Sequence, residues 1–267
     1  MIEQAEKATR FQALHKQGTF VMANFWDVGS AVMLENLGFK ALASTSAGFA
    51  QSIGKLDSQI TLAEKLDHLT EVCRRTKAPV NADFEHGFAD APEDTAANLL
   101  RAAETGVAGL SIEDWSRHET YEFDLAVERI QACAEAKNTL DFPFMLTARS
   151  EVLLRRTGDL DEASKRLQAY AAAGADVLYA PGLADEEQIK AVKAAVDKPI
   201  NVLFVFMPDM PLSKYQALNV ERISLGSALA NRATAATLNA AEDMLSAGNF
   251  EWAKDIASGK VINDLLS

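Results

Sequence analysis

Eight short apolar runs, each followed by a helical stretch, end one after another on residues that can handle an oxyanion or a metal, and this pattern constrains the fold most strongly. The runs span 20–23, 40–43, 79–82, 109–112, 143–148, 175–180, 199–200 and 222–225. They lead in turn to Asn24, to Ser44, Thr45 and Ser46, to Asp83 and Glu85, to Glu113 and Asp114, to Arg149, to Pro181 and Gly182, to Asn201, and to Gly226 and Ser227. Alternating strand and helix implies a parallel sheet, and strands that are apolar almost throughout imply burial on both faces. Eight repeats favour closure. The expected fold is an α/β, eightfold βα (TIM-type) barrel with extra C-terminal helices, whose active site is built by the loops after the strands.

A chain of 267 residues suits one such barrel, and no linker or low-complexity tract divides it. The organisation expected is a single domain over 1–267, with C-terminal helices over 228–246 and 250–266 that could be exchanged between subunits. Elsewhere, helices are expected near 30–37, 92–104, 125–137, 160–173, 185–196 and 213–218. Leu62, Leu66, Leu69 and Cys73 recur at spacings of three and four, with Thr61 placed to cap the helix they imply. His15 and His68 read as surface or helix-face residues. A net charge of −12 argues against nucleic acid and anionic membrane as partners. The two cysteines, Cys73 and Cys133, lack metal-type spacing and read as buried free thiols. With no basic-then-apolar leader and no apolar run long enough to span a bilayer, the expected compartment is the cytoplasm.

Residues two apart on a strand point the same way, so Asp83 and Glu85 share a side and Glu113 on the next strand lies beside them. Three carboxylates so placed repel unless a divalent cation or shared protons intervene, and an all-oxygen set suits Mg²⁺ or Mn²⁺. The competing reading is a solvated acidic rim or a set of arginine-paired bridges. Arg149 offers a fork for a carboxylate or a developing oxyanion, or else an ion pair with Glu113 or Glu151. The small-residue turn at Ser44, Thr45 and Ser46 could cradle a carboxylate with its backbone N–H groups. On the loop 115–123, His118 is the one side chain of a type suited by its chemistry to proton transfer at neutral pH, either a proton donor or an idle exposed histidine.

The motifs Asn24-Phe25-Trp26-Asp27, Ser44-Thr45-Ser46 with Gly54 and Asp57, Asp83-Phe84-Glu85-His86-Gly87-Phe88, Ser111-Ile112-Glu113-Asp114, Thr147-Ala148-Arg149, Pro199-Ile200-Asn201-Val202 and Arg222-Ile223-Ser224-Leu225-Gly226-Ser227 stand in an order that resembles the isocitrate lyase/phosphoenolpyruvate mutase superfamily. The resemblance covers nearly the whole chain. It implies that Asp83, Glu85 and Glu113 hold Mg²⁺ (or Mn²⁺), largely through waters. It further implies that Ser44, Thr45, Ser46, Asn201 and Arg149 bind a small carboxylate substrate, and that Asp57 and Arg149 serve catalysis, to which the loop reading adds His118. The implied activity is a carbon–carbon lyase, a decarboxylase or retro-aldol enzyme, acting on a 2-oxo or 2-hydroxy acid through a pyruvate-type enolate. The alternatives are a phosphonomutase-type or phosphonate-cleaving enzyme, and a catalytically silent carboxylate-binding barrel. A homo-oligomer, tetramer or dimer, is also implied. Two departures stand out. Glu85 occupies a position where the family usually has aspartate, and the Lys-Lys-Cys-Gly-His loop signature of isocitrate-type lyases is absent. With that signature missing, Arg117 or His118 is expected to meet the distal end of the substrate.

Overall fold

The computed structural model describes residues 2–267. Strands β1 (Phe20–Phe25), β2 (Leu42–Ser44), β3 (Val80–Asp83), β4 (Gly109–Glu113), β5 (Met145–Arg149), β6 (Val177–Tyr179), β7 (Ile200–Leu203) and β8 (Arg222–Ser224) pair in parallel in sequence order. Pairing of β8 with β1 closes them into a barrel. The helices are α1 (Ile2–Leu14), α2 (Val28–Asn36), α3 (Ser46–Ser52), α4 (Leu62–Arg75), α5 (Pro92–Ala103) and α6 (Phe123–Lys137), followed by α7 (Val152–Arg155), α8 (Leu160–Ala172), α9 (Glu186–Ala195), α10 (Leu212–Ala217), α11 (Ala228–Ala247) and α12 (Gly259–Leu266). This is the eightfold βα barrel with extra C-terminal helices that the alternating pattern predicts.

Alternation of side chains along each strand sorts the core into two layers. Leu42, Val80, Ala82, Leu110 and Leu146 face outward into the main apolar cluster under the helices. Ala41, Ala43, Met145 and Val177 face inward near the amino ends of their strands, where Ala8, Phe11 and Leu14 of α1 cover them. Helix α1 therefore plugs the floor of the barrel and leaves the opposite rim open. Its spacing of three was present in the sequence, ahead of the first strand where the repeat count began.

Helix α4 starts as expected: Thr61 Oγ1 accepts from Glu64 N, and the Glu64 carboxylate accepts from Thr61 N, a reciprocal capping box. Its buried face, however, carries Lys65 and His68 along with Leu69, Val72 and Cys73. His68 is thus interior, stacked on Phe49 with ring centroids 3.9 Å apart, and His15 is interior too. Both correct the expectation of surface histidines: Phe25 and Phe49 from other elements enclose His68, and Phe11 and Phe20 on either side of it in sequence enclose His15. Cys73 and Cys133 are buried free thiols, as expected. The stretch expected to be helical over 250–266 is broken, a 3₁₀ turn at Glu251–Asp255 followed by α12. Ser258 restarts the helix by accepting from Val261 N. Among the described residues, no helix is long and apolar enough to cross a membrane.

Candidate active site

Register brings the strand-end residues together. Asp83 stands opposite Ser111, Glu113 opposite Arg149, and Arg149 opposite Tyr179. A cavity of about 160 Å³ opens at this rim. Ser44, Thr45, Ser46, Asp57, Asp83, Glu85, Glu113, Arg149 and Asn201 all line it. His118 does not; it is exposed on its loop, and its backbone N–H donates to Ser116 Oγ at 3.3 Å. Within the loop 115–123, Trp115 and Thr120 form an antiparallel bridge, and Arg155 lies over the Trp115 ring at 4.8 Å. At its tip Arg117 turns inward to Glu85 while His118 faces solvent, so the proton donor expected at His118 is not brought to the cavity.

Arg149 is the centre of charge. Its guanidinium meets Asp83 Oδ1 at 2.9 Å, Glu113 Oε2 at 3.2 Å and Glu151 Oε1 at 2.7 Å, and it lies 5.0 Å from the Tyr179 ring centroid. The two sequence readings of Arg149, anion fork or ion-pair partner, are therefore not exclusive. Burial raises the Asp83 carboxyl, but Arg149, Lys65 and the Ser46 donors outweigh it and hold the group below the usual range. Ser46 donates both its N–H and its hydroxyl to Asp83 Oδ2 at 2.9 Å, so that part of the expected carboxylate cradle is already engaged. Thr45 Oγ1 instead caps α3, accepting from Gly48 N. A Cβ at Gly48 would fall 2.6 Å from Thr45 Cγ2 and 2.9 Å from Trp26 Cβ, so this turn admits only glycine.

Glu85 does not follow the strand alternation, because β3 ends at Asp83 and Glu85 has φ +49°. It points to the loop 115–123, where Arg117 Nη2 and Nε bind Oε2 at 3.0 and 3.2 Å. Arg117, expected to meet substrate, is held here by Glu85. Burial pushes the Glu85 carboxyl up against the pull of Arg117, and burial pushes Glu113 well up against the pull of Arg149. Asp57 lies on the turn after α3, and partial desolvation together with the Asp83 charge raises its carboxyl.

The metal is expected largely through waters, so its three carboxylates need not converge on one point. Among the described residues no three acidic, histidine or cysteine side chains are gathered to hold an ion, because the three carboxylates are turned toward two different arginines. Their chemistry nonetheless fits a hard divalent cation. The donors are all oxygen, Glu85 Oε1 is buried without any hydrogen-bond partner, and Glu113 carries an uncompensated desolvation cost that a cation would relieve.

Two groups, Lys65 and Arg222, have no role in the sequence reading, and a third, Glu151, enters it only as an alternative ion-pair partner of Arg149. Lys65 is fully buried on α4 and donates to Ser44 Oγ at 3.0 Å, behind the acidic wall. Its signal was a lysine at the buried spacing between Leu62 and Leu69. Glu151, wholly buried, anchors Arg149 from two residues away, an offset that predicts proximity. Arg222 reaches the cavity from the floor of the barrel. Asn201, the expected substrate ligand, gives its Nδ2 to Ser224 Oγ at 2.8 Å and accepts from Arg222 Nε at 2.9 Å.

The phosphoenolpyruvate phosphomutase family model matches residues 11–245. A crystal structure from Burkholderia cenocepacia J2315, provisionally named a lyase/mutase, is 44% identical, superposes with a TM-score of 0.95, and is matched over 98% of this chain and 96% of its own. A second structure from that organism, provisionally named a phosphonomutase, is 32% identical with a TM-score of 0.83, over 92% of this chain and all of its own. The oxaloacetate decarboxylase of Chromohalobacter salexigens is 30% identical over 224 residues, 78% of this chain and 75% of its own length. The family model covers most of the chain, and the chain belongs to the phosphoenolpyruvate phosphomutase family, in the isocitrate lyase/phosphoenolpyruvate mutase superfamily of enzymes.

Proposed function

We propose that this enzyme is a Mg²⁺- or Mn²⁺-dependent carbon–carbon lyase that cleaves a small 2-oxo or 2-hydroxy carboxylic acid through a pyruvate-type enolate, by decarboxylation or retro-aldol reaction. The observation that carries this reading is Arg149, fixed by three carboxylates at the edge of a cavity of about 160 Å³. A guanidinium locked in this way is already oriented for charge that develops on an oxygen in front of it, and pays no reorganisation during reaction. The backbone at Ser44, Thr45 and Ser46 forms the facing wall. Asp57 stands at the mouth, and its raised carboxyl is suited to hold a proton for the enolate carbon. Enzymes of the superfamily generally use a divalent metal. When bound at Asp83, Glu85 and Glu113, such an ion would supply polarisation of the 2-oxo group. Decarboxylation of a 2-oxo acid is the activity named for the Chromohalobacter relative.

The test is turnover of oxaloacetate with Mg²⁺, in excess chelator, and in Asp83→Asn. Activity is expected to vanish in chelator and to fall about 100-fold or more in the variant. Oxalate, which resembles a pyruvate enolate in shape and charge, is expected to inhibit competitively. Full turnover in chelator, or no inhibition by millimolar oxalate, removes the enolate reading. Turnover of phosphonopyruvate with none of oxaloacetate, related 2-oxo acids or 2-hydroxy acids would move the assignment to the carbon–phosphorus chemistry that the phosphonomutase name implies.

A further inference from the structure

A barrel interior excludes water, so a charge placed there needs a partner. Most buried cations of this chain have one. Arg149 and Arg166 pair with carboxylates, and Lys7 pairs with Glu3. Arg129 donates to the carbonyls of His86, Ala89 and Asp90 and lies 4.1 Å from the Tyr121 ring centroid. Lys65 sits in the field of Asp83, Glu85 and Asp57. Arg129 and Arg222 both lack a paired carboxylate, and of the two Arg222 is the one that lines the active-site cavity.

Arg222 is 1% exposed, and its partners are neutral. Nε donates to Asn201 Oδ1 at 2.9 Å, Nη2 to Thr147 Oγ1 at 2.9 Å, and Nη1 meets His15 Nε2 at 3.5 Å. His15 Nδ1 lies 2.9 Å from Phe11 O, which places the ring proton on Nδ1 and leaves Nε2 as an acceptor. Burial, and then the Arg222 charge itself, pull His15 down to about 3, so the ring is neutral. Burial likewise pulls Arg222 down to about 9. No carboxylate pairs with it among the described residues, and three of its five N–H groups are engaged.

The cavity that begins at Arg149 extends down to Arg222. Thr147, which Arg222 contacts, lies two residues below Arg149 on β5, a drop of about 7 Å along the strand. Two cations one barrel layer apart can each take one end of a molecule carrying two carboxylates. We propose that the uncompensated Arg222 on the cavity floor binds the second carboxylate of the substrate, making the ligand class a four-carbon 2-oxo or 2-hydroxy dicarboxylic acid. This inference rests on the lyase reading above. It also moves the distal carboxylate from the loop 115–123, where His118 faces solvent and Arg117 is engaged, to the floor.

The experiment is calorimetric titration of the Mn²⁺-loaded enzyme with oxalate and with malate, in the wild type, Arg222→Met and Arg222→Lys. Oxalate is too short to reach from Arg149 to the floor; malate is not. The wild type is expected to bind both. Arg222→Met is expected to weaken malate about tenfold or more while changing oxalate less than about twofold, with Arg222→Lys between them. If Arg222→Met does not fold, a crystal structure of the wild type with malate decides: a carboxylate on the Arg222 guanidinium supports the inference, and one seated elsewhere overturns it. Equal malate affinity in wild type and Arg222→Met overturns it and makes Arg222 a structural layer of the barrel. Wild type that binds oxalate but not malate overturns it and leaves the lyase reading standing. Wild type that binds neither overturns the lyase reading and this inference with it.

Discussion

Arg149 answers to three carboxylates at once, and that arrangement separates its charge from its geometry. Glu151 holds the guanidinium from behind with Nε and Nη2 at 3.1 and 2.7 Å, while Asp83 and Glu113 face the cavity. Removing one partner of a buried pair strands the others, at about 3–5 kcal/mol. Arg149→Met is therefore expected to lower stability by about that amount and to abolish turnover. Glu151→Gln keeps the volume and one acceptor oxygen, so it is expected to fold, to retain oxalate binding within a few-fold, and to lose turnover more than binding through misorientation of the fork. Denaturant titration alongside oxalate calorimetry checks both; a Glu151→Gln enzyme with wild-type kcat would show that Asp83 and Glu113 orient Arg149 unaided. Much of this site was legible in advance. Asp83, Glu113 and Arg149 each end a strand, and strand ends converge in a barrel. Glu85 was not placed correctly, because its left-handed backbone lies beyond the last paired residue and no period-two argument extends there. Arg117 was read as a substrate contact, since no one-dimensional pattern marks it as the partner of Glu85.

Helix α4 shows how an element can carry both fold and function on one face. Its apolar spacing was sufficient to predict the helix and its Thr61 cap. The same face presents Lys65 to Ser44 and stacks His68 on Phe49. Burial, reinforced by Lys65, lowers the His68 imidazole from 6.5 to about 3. Between these values the unfolded chain binds a proton that the folded chain refuses, so stability falls as pH drops. The slope from this one residue is about 1.4 kcal/mol per pH unit at most. His68 Nε2 is buried without a partner, so Phe can replace the ring without losing a bond there. His68→Phe is expected to fold and to lose less stability than the wild type between pH 6.5 and 5, measured by urea unfolding. Parallel pH curves for the two proteins would mean that His68 is protonated in the fold. The residues on this face were misjudged because a helix period identifies which positions face inward but not what waits for them: an aromatic from α3 and a serine from β2 make a histidine and a lysine admissible in the core.

At the scale of the whole molecule, the barrel is closed and well covered except where the C-terminal segment leaves it. Helix α11 runs for 20 residues with Ala230 alone buried. Leu238, Leu245, Phe250, Ile256 and Val261 are all exposed, Leu245 at 89%. Helix α12 touches its own barrel at α2, where Asn36 Nδ2 donates to Leu265 O at 2.9 Å. A row of large apolar side chains of this extent is unusual on an isolated surface and suits contact with another subunit. The arrangement proposed is a homo-oligomer in which the segment after β8 packs on a neighbouring barrel. Truncation before Phe250 is expected to give a smaller or insoluble species, and Leu245→Asp a smaller soluble one, each measured by light scattering on a sizing column. The two changes act differently: truncation removes α12 and its contact with α2, whereas Leu245→Asp leaves every described intrachain hydrogen bond in place. A full-length protein that runs as a monomer, or a Leu245→Asp variant of unchanged size, would sink the proposal and leave α11 as an arm whose exposed face serves no subunit contact.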